Sequence, residues 1–417
     1  MTAYEILLKM AVPRPNGSEA VERTAAMIRE HMEALTPNVS VQEFFLRPYM
    51  PALVGLFLLA AAVACVLLVA KRRPWIALLI ALLIPAVYFA EYELNVPVVS
   101  RIAGTTGTNI IADFMPAGEA QQHITFSAHY DSKTDLFDHQ QRKPIHNFAP
   151  VAMLCLMASS VLGIVAGIRE QRHDRVRIRR LRSRTYSPQR RGGSSTIRGI
   201  AVTFGLVGIA GLFMLALAFG GGLFMPIEKQ SPGARDDGSS VALLLSMAEK
   251  LAAGSPALER TAVRFVFFGG EEVNMQGSAA YASSATAETA AGAAGGFDLG
   301  VVINCELLGG EEPYAYWESS GTFLSKFPSS EKAIGLYQGA MAAAGFAPAI
   351  AAGSLFDDSG RLLAAGFEAV TVGNSDPAHP ASYHNVGDSP DLVRPERLDQ
   401  VEQVFLEMVA ALERRPD

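Results

Sequence analysis

Residues 265–278 read FVFFGGEEVNMQGS. A short apolar run closed by two glycines is the pattern of a buried strand, and this one delivers Glu271 and Glu272 side by side at its end. Adjacent carboxylates repel each other and need a compensating cation, so a loop bearing such a pair behind an apolar strand points to chemistry. With that strand read as Thr261–Phe268, further extended runs are expected at Thr108–Phe114, His123–Ala128, Leu299–Asn304 and Glu368–Val372. Between them, Val21, Ala25, Ile28, Met32 and Leu35 repeat at helical spacing, and Ser239–Ala253, Ser330–Ala344 and Pro395–Arg414 read as helices. The Ala-rich stretch Ala280–Gly296 reads as a helix tail plus a loop. Alternating strands and helices predict an α/β fold, a sheet covered by helices.

Half of the 417 residues are hydrophobic and 18% are charged, which is apolar for a soluble enzyme. The excess lies in four runs, Met50–Ala70, Trp75–Ala90, Phe148–Ile168 and Ile200–Met225. Three reach the roughly 20 residues that cross a ~30 Å hydrocarbon core; the second is shorter, carries Pro85, and alone admits an interfacial or re-entrant reading. Runs one, three and four contain no charge, whereas a helix packed on a soluble core shows a polar stripe. Two transmembrane hairpins are therefore expected, at 50–90 and at 148–225, the second with an Arg-rich loop at 169–198. The remaining pieces, 1–49, 91–147 and 226–417, form one discontinuous domain.

Net charge is −6, yet the Arg-rich loop holds eleven Arg against Glu170 and Asp174, and Lys71–Arg73 adds three more cations. Basic loops stay cytoplasmic, which predicts a multi-pass integral membrane protein in contact with a lipid bilayer, its discontinuous domain extracytoplasmic. No signal peptide with a cleavage site precedes the runs, so the amino-terminal tail is expected to cross by itself. The cations follow no nucleic-acid motif, and no nucleic-acid partner is expected. Cys65 and Cys155 lie in apolar runs and Cys305 in a strand, so no disulfide framework is legible. Oligomeric state is not legible either.

Other metal-binding residue types also follow strands. SAHYDS places His129 directly after an extended run and Asp131 two residues on; a lone imidazole at a strand end is most often a surface residue, but a carboxylate beside it can fix the tautomer of a metal-bound His. SPGARDDGSS sets Asp236 and Asp237 at the mouth of a helix, where capping explains one and leaves the other free. In VVINCELLGG, Glu306 is an acid among apolar neighbours, rarely buried without a partner. ASYHNVGDSPDLV puts Tyr383 and His384 in a loop before the last helix. The segment Ser132–Asn147, with His139 and His146, reads as a loop that covers the site or simply connects.

The series SAHYDS, PGARDDGSS, FFGGEE, INCELLG and YHNVGDSPD resembles the di-zinc peptidases of metallopeptidase family 28, which includes bacterial leucyl aminopeptidases and glutamate carboxypeptidase II. The resemblance covers the three extramembrane pieces and excludes the hairpins. It implies the zinc exopeptidase fold, a mixed β-sheet sandwiched by helices, and two Zn2+ ions sharing a bridging aspartate. Position by position, it implies that His129, Asp236 and Glu306 hold one zinc, and Glu272, His384 and the shared Asp236 the other. Glu271 matches the general base, Asp131 the partner of His129, Tyr383 an oxyanion-stabilising tyrosine and Asp358 a supporting aspartate. Glu306 stands where the family usually has Asp, and the interval from His129 to Asp236 is lengthened by the second hairpin. The implied activity is hydrolysis of a peptide substrate, as an aminopeptidase. Two rivals are a glutaminyl cyclase-like acyltransferase, which uses one zinc, and a non-catalytic receptor or scaffold, which would have lost ligands. Neither H-E-x-x-H nor G-x-S-x-G is present.

Overall fold

The computed structural model describes residues 1–182, 192–290, 298–311, 314–322, 324–374 and 382–414; positions 183–191 of the Arg-rich loop and 291–297 of the Ala-rich stretch lie outside these. The chain opens with helices α1 (Ala3–Met10) and α2 (Glu19–Glu33), capped by the Thr2 and Ser18 hydroxyls, and strand β1 (Val39–Leu46). Helices α3 (Met50–Ala70) and α4 (Pro74–Tyr88) precede strands β2 (Thr105–Phe114) and β3 (Gln122–His129). A second pair, α5 (His139–Arg182) and α6 (Gly192–Gly220), leads to α7 (Ser239–Ala252), β4 (Thr261–Phe268), α8 (Gln276–Ala290), β5 (Val301–Glu306) and β6 (Tyr314–Gly321). Then come β7 (Lys326–Pro328), α9 (Glu331–Ala343), β8 (Ile350–Leu355), α10 (Asp358–Ala364), β9 (Glu368–Asn374) and α11 (Pro395–Glu413). Two compact units result, one of residues 1–48, 103–134 and 225–417, the other of 49–102 and 135–224.

The first unit is built on a mixed sheet of order β1-β2-β4-β3-β5-β9-β6-β7, with β8 paired to β6. Its centre is parallel: β3 lies between β4 and β5, and β5 pairs with β9. Strand β4 supplies both layers, as its alternation requires. Val263, Phe265 and Phe267 join a core with α1, α2, α7, α9 and α11, while Val266 and Phe268 pack with Tyr281 of α8 and Leu362 of α10. Phe126 stacks between Phe265 (6.0 Å) and Phe405 (5.1 Å) in the larger layer. Asp113 and Arg264, directly opposite in β2 and β4, pair bidentately at 2.7 and 2.8 Å.

The second unit is helical. Among the described residues, four helices are long and apolar enough to cross a membrane: Met50–Ala70, Pro74–Glu93, Gln140–Arg179 and Gly193–Phe224. The second expected run thus continues past Ala90 through a wider turn, Phe89–Glu93, to reach 20 residues. Its end is fixed by Glu91, a buried carboxylate that accepts the amides of Val98, Val99 and Ser100 and the Ser100 hydroxyl. Residues 139–147, read as loop, are instead the first turns of α5. Close helix crossings use small residues; a Cβ on Gly55 of α3 would stand 2.9 Å from Ala216 Cα of α6. Leu56, Leu79 and Leu154 face outward, at 62, 69 and 62% exposure, so the outer surface is as apolar as the inner. At one end Glu170 pairs with Arg198 at 2.9 Å and Arg72 at 3.6 Å, which gathers the 71–73 turn and the base of the Arg-rich loop together.

Candidate metal centre

Parallel strands end at a common edge, and an α/β sheet presents its ligand sites there. His129 is the last residue of β3, opposite Phe268 of β4, and Glu306 is the last of β5, opposite Gly373 of β9. After Phe268 the chain turns at Gly269 and Gly270, the latter at φ +74°, and so lifts Glu271 and Glu272 to the same edge. Asp236 lies ahead of α7 in non-helical backbone, and His384 stands in the 382–389 loop at φ +59°. A left-handed conformation is unusual for a histidine and marks a position held by its surroundings.

The structure brings the separated donors together in two groups that share one aspartate. In the first, His129 Nε2 lies 3.2 Å from Asp236 Oδ1 and 3.7 Å from Glu306 Oε2. In the second, His384 Nε2 lies 2.9 Å from Asp236 Oδ2 and 3.1 Å from Glu272 Oε1. Asp236 therefore turns one carboxylate oxygen to each group. Glu271 belongs to neither, and its Oε2 is 4.0 Å from His129 Nε2. Asp131 Oδ1 faces His129 Nδ1 at 3.5 Å. The Tyr383 ring stacks on the His384 imidazole, centroids 3.8 Å apart and planes 21° from parallel.

A second set of carboxylates holds the loops through main-chain amides. Asp131 accepts the amides of Glu271 (3.3 Å) and Glu272 (3.0 Å), and the Asn16 side-chain amide. Asp388 accepts those of Arg235 (2.8 Å) and Asp236 (3.2 Å). Asp237 accepts the amide of Leu307, next to Glu306, at 3.1 Å, together with the Ser240 hydroxyl. The capping expected of one aspartate is not observed: no side chain caps α7, because Asp237 is turned toward β5. Asp388 and Asn16 were missed by the sequence reading, since an acid or amide in a turn-rich stretch carries no periodic signal.

Burial pushes the Glu271 carboxyl well above the ordinary range, and Glu272, Glu306 and Asp358 add to it. Burial also raises Glu306 to about 7 and Asp388 to about 7, the latter with Asp236 nearby. Asp358, the fully buried first residue of α10, is raised well above the usual value by burial and by Glu306 and Asp131. At His129, burial opposes the charged form, but Glu306, Asp131 and Asp236 outweigh it and hold the imidazole well above its usual pKa. Acids thus outnumber cations in a buried space. Asp236 Oδ2 and Glu272 Oε1 are buried and face the same His384 nitrogen. Carboxylate and imidazole donors converging with spare lone pairs suit Zn2+, which takes N and O ligands in small numbers.

The sequence model of Peptidase family M28 matches residues 222–409. No curated protein sequence matches the chain. Among solved structures, the chain is similar to a Zn-dependent exopeptidase from Parabacteroides distasonis, at 13% identity over 98% of this chain and 96% of that one, TM-score 0.52. It is similar to the glutaminyl cyclase of Tannerella forsythia, at 14% identity over 98% and 97%, TM-score 0.52. The LapA aminopeptidase of Legionella pneumophila shares 10% identity over 100% of this chain and 70% of that one, TM-score 0.52. What these likenesses establish is the fold, a mixed sheet between helices.

Proposed function

We propose that the chain is a membrane-anchored, zinc-dependent exopeptidase of peptidase family M28, acting as an aminopeptidase on peptides. The observation that carries this reading is the pair of donor groups joined by Asp236. His129, Asp236 and Glu306 would hold one Zn2+, and Asp236, Glu272 and His384 the other. Bound there, the two ions would polarise the scissile carbonyl and make water acidic near neutral pH.

The chain's own residues do the rest. Glu271, left over by both groups, takes the proton of the attacking water and returns it to the leaving amine as the C–N bond breaks, a role worth about 10²- to 10⁴-fold. Asp131 orients the His129 ring through Nδ1 and fixes the Glu271–Glu272 turn through its amides. Tyr383 donates a hydrogen bond to the carbonyl oxygen as charge develops on it. Surplus carboxylate charge attracts the free α-ammonium of a substrate.

The helical unit anchors the enzyme as two transmembrane hairpins, at 50–90 and 148–225. Both basic loops then face the cytoplasm and the sheet unit the opposite side; the ion pairs of Glu170 with Arg72 and Arg198 favour this arrangement. A cyclase is the competing reading, favoured by the likeness to the Tannerella enzyme. Full-length protein in detergent, assayed on aminoacyl p-nitroanilides and on an amino-terminal glutaminyl peptide, separates the two. Release of p-nitroaniline, lost in Glu271→Gln while zinc is retained, is expected. Cyclisation without hydrolysis, or wild-type activity in Glu271→Gln, overturns the proposal.

A further inference from the structure

The sheet unit is assembled from three stretches of chain, 1–48, 103–134 and 225–417. One side chain from the first reaches all three beside the metal-site donors. Arg14 is fully buried. Its Nε donates to the carbonyl of Tyr130 at 2.9 Å, and its Nη2 to that of Gly233 at 3.0 Å. Its Nη1 reaches the carbonyls of Met10 (2.6 Å), Val12 (3.0 Å) and Pro232 (2.7 Å). The Arg14 amide donates to Ser132 Oγ at 2.8 Å, and the Ser132 amide returns a bond to the Arg14 carbonyl at 3.0 Å.

The partners are placed tellingly. Tyr130 lies between His129 and Asp131, and Gly233 is three residues ahead of Asp236. These guanidinium bonds end on carbonyl oxygens, so the charge is not spent on a contacting carboxylate. Burying such a charge is costly unless negative charge is near. Here Asp388, Asp131, Asp236 and Asp237 supply it. A tie between loops alone would be made at lower cost by a neutral amide or hydroxyl. A permanent cation with a planar fork does two things at once: it fixes two loops and offsets part of the acid cluster.

We infer that Arg14 is a positioning residue of the metal centre, its guanidinium setting the separation of the loops that carry His129 and Asp236. The inference rests on the reading of these donors as zinc ligands. It makes the segment ahead of the first apolar run part of the site, with Asn16 bonded to Asp131 two residues on.

The test uses full-length protein in detergent, with zinc affinity measured by competition with a chromophoric chelator, alongside kcat, KM and Tm. Arg14→Lys keeps the charge and loses the fork. It is expected to lower zinc affinity and kcat about 10- to 100-fold, the range for groups that orient metal ligands, with KM little changed. Ser132→Ala removes the hydroxyl that holds the Arg14 amide and is expected to give a smaller loss in the same direction. A folded Arg14→Lys protein with wild-type zinc affinity and kcat, defective only in Tm, overturns the inference. Should that variant not accumulate as folded protein, unchanged zinc affinity in Ser132→Ala overturns it instead. Zinc affinity is independent of turnover, so a wild-type protein that binds zinc but hydrolyses nothing sinks the peptidase reading and leaves the Arg14 test standing.

Discussion

The two units handle charge in opposite ways. In the helical unit, Glu91 is matched by three main-chain amides and a hydroxyl, and Glu170 by Arg72 and Arg198. Each of these acids meets its partners close by and serves architecture. In the sheet unit, Asp236, Glu272, Glu306 and Glu271 converge on two imidazoles, and Glu271 and Glu306 are held above their usual pKa. A surplus of buried acids is costly to fold, and in the proposed function the cations held there would offset it. Apolar groups differ in parallel: the sheet unit buries its apolar layers on the two faces of the sheet, whereas the membrane-length helices also present leucines such as Leu56, Leu79 and Leu154 outward.

Three substitutions sharpen that contrast. Phe265→Ala empties a fully buried ring site between Phe114 and Phe126 and should cost about 3–5 kcal/mol, read as a fall in the midpoint of denaturant unfolding of the sheet unit. A loss under about 1 kcal/mol would mean that the core is packed otherwise. Leu79→Arg places a charge on the outward face of α4; insertion scales price this at about 2.5–3.5 kcal/mol near the centre of a membrane helix. Membrane-integrated protein should fall sharply. Should the variant become more soluble at equal yield, the outward face is not in lipid. Glu170→Ala should change stability by only about 0–1 kcal/mol, because such partly exposed pairs are weak; a multi-kcal/mol loss measured in detergent would show that the acid is not merely matched but required.

The parts legible in the sequence were those with strong periodic or apolar signals. Strand β4 was read at its observed ends, and α7, α9 and α11 within a residue or so, because each pairs an apolar pattern with a boundary residue. Strands β6 and β8, YAYWESSG and IAAGSL, were not read, since small and polar residues blur the alternation that marks a strand. Helix α8 starts at Gln276, where the EE turn ends, and its tail runs into the Ala-rich stretch as far as Ala290; the loop expected beyond it falls on 291–297, outside the described residues. Candidate ligands were legible because His129, Glu272 and Glu306 each stand at the end of a readable strand. Arg14, Asn16 and Asp388 were not, because PRPNGS and VGDSP carry turn residues and no period; only the assembled sheet shows what they face.

The central claim is that one aspartate joins two metal sites, and metal content measures it most directly. Purified full-length protein, dialysed against trace zinc and analysed by elemental mass spectrometry beside Asp236→Ala, should carry two Zn2+ per chain. The variant should lose most of both, since Asp236 turns an oxygen to each donor group. Wild-type protein holding no zinc, or an Asp236→Ala variant that keeps two, would contradict the account.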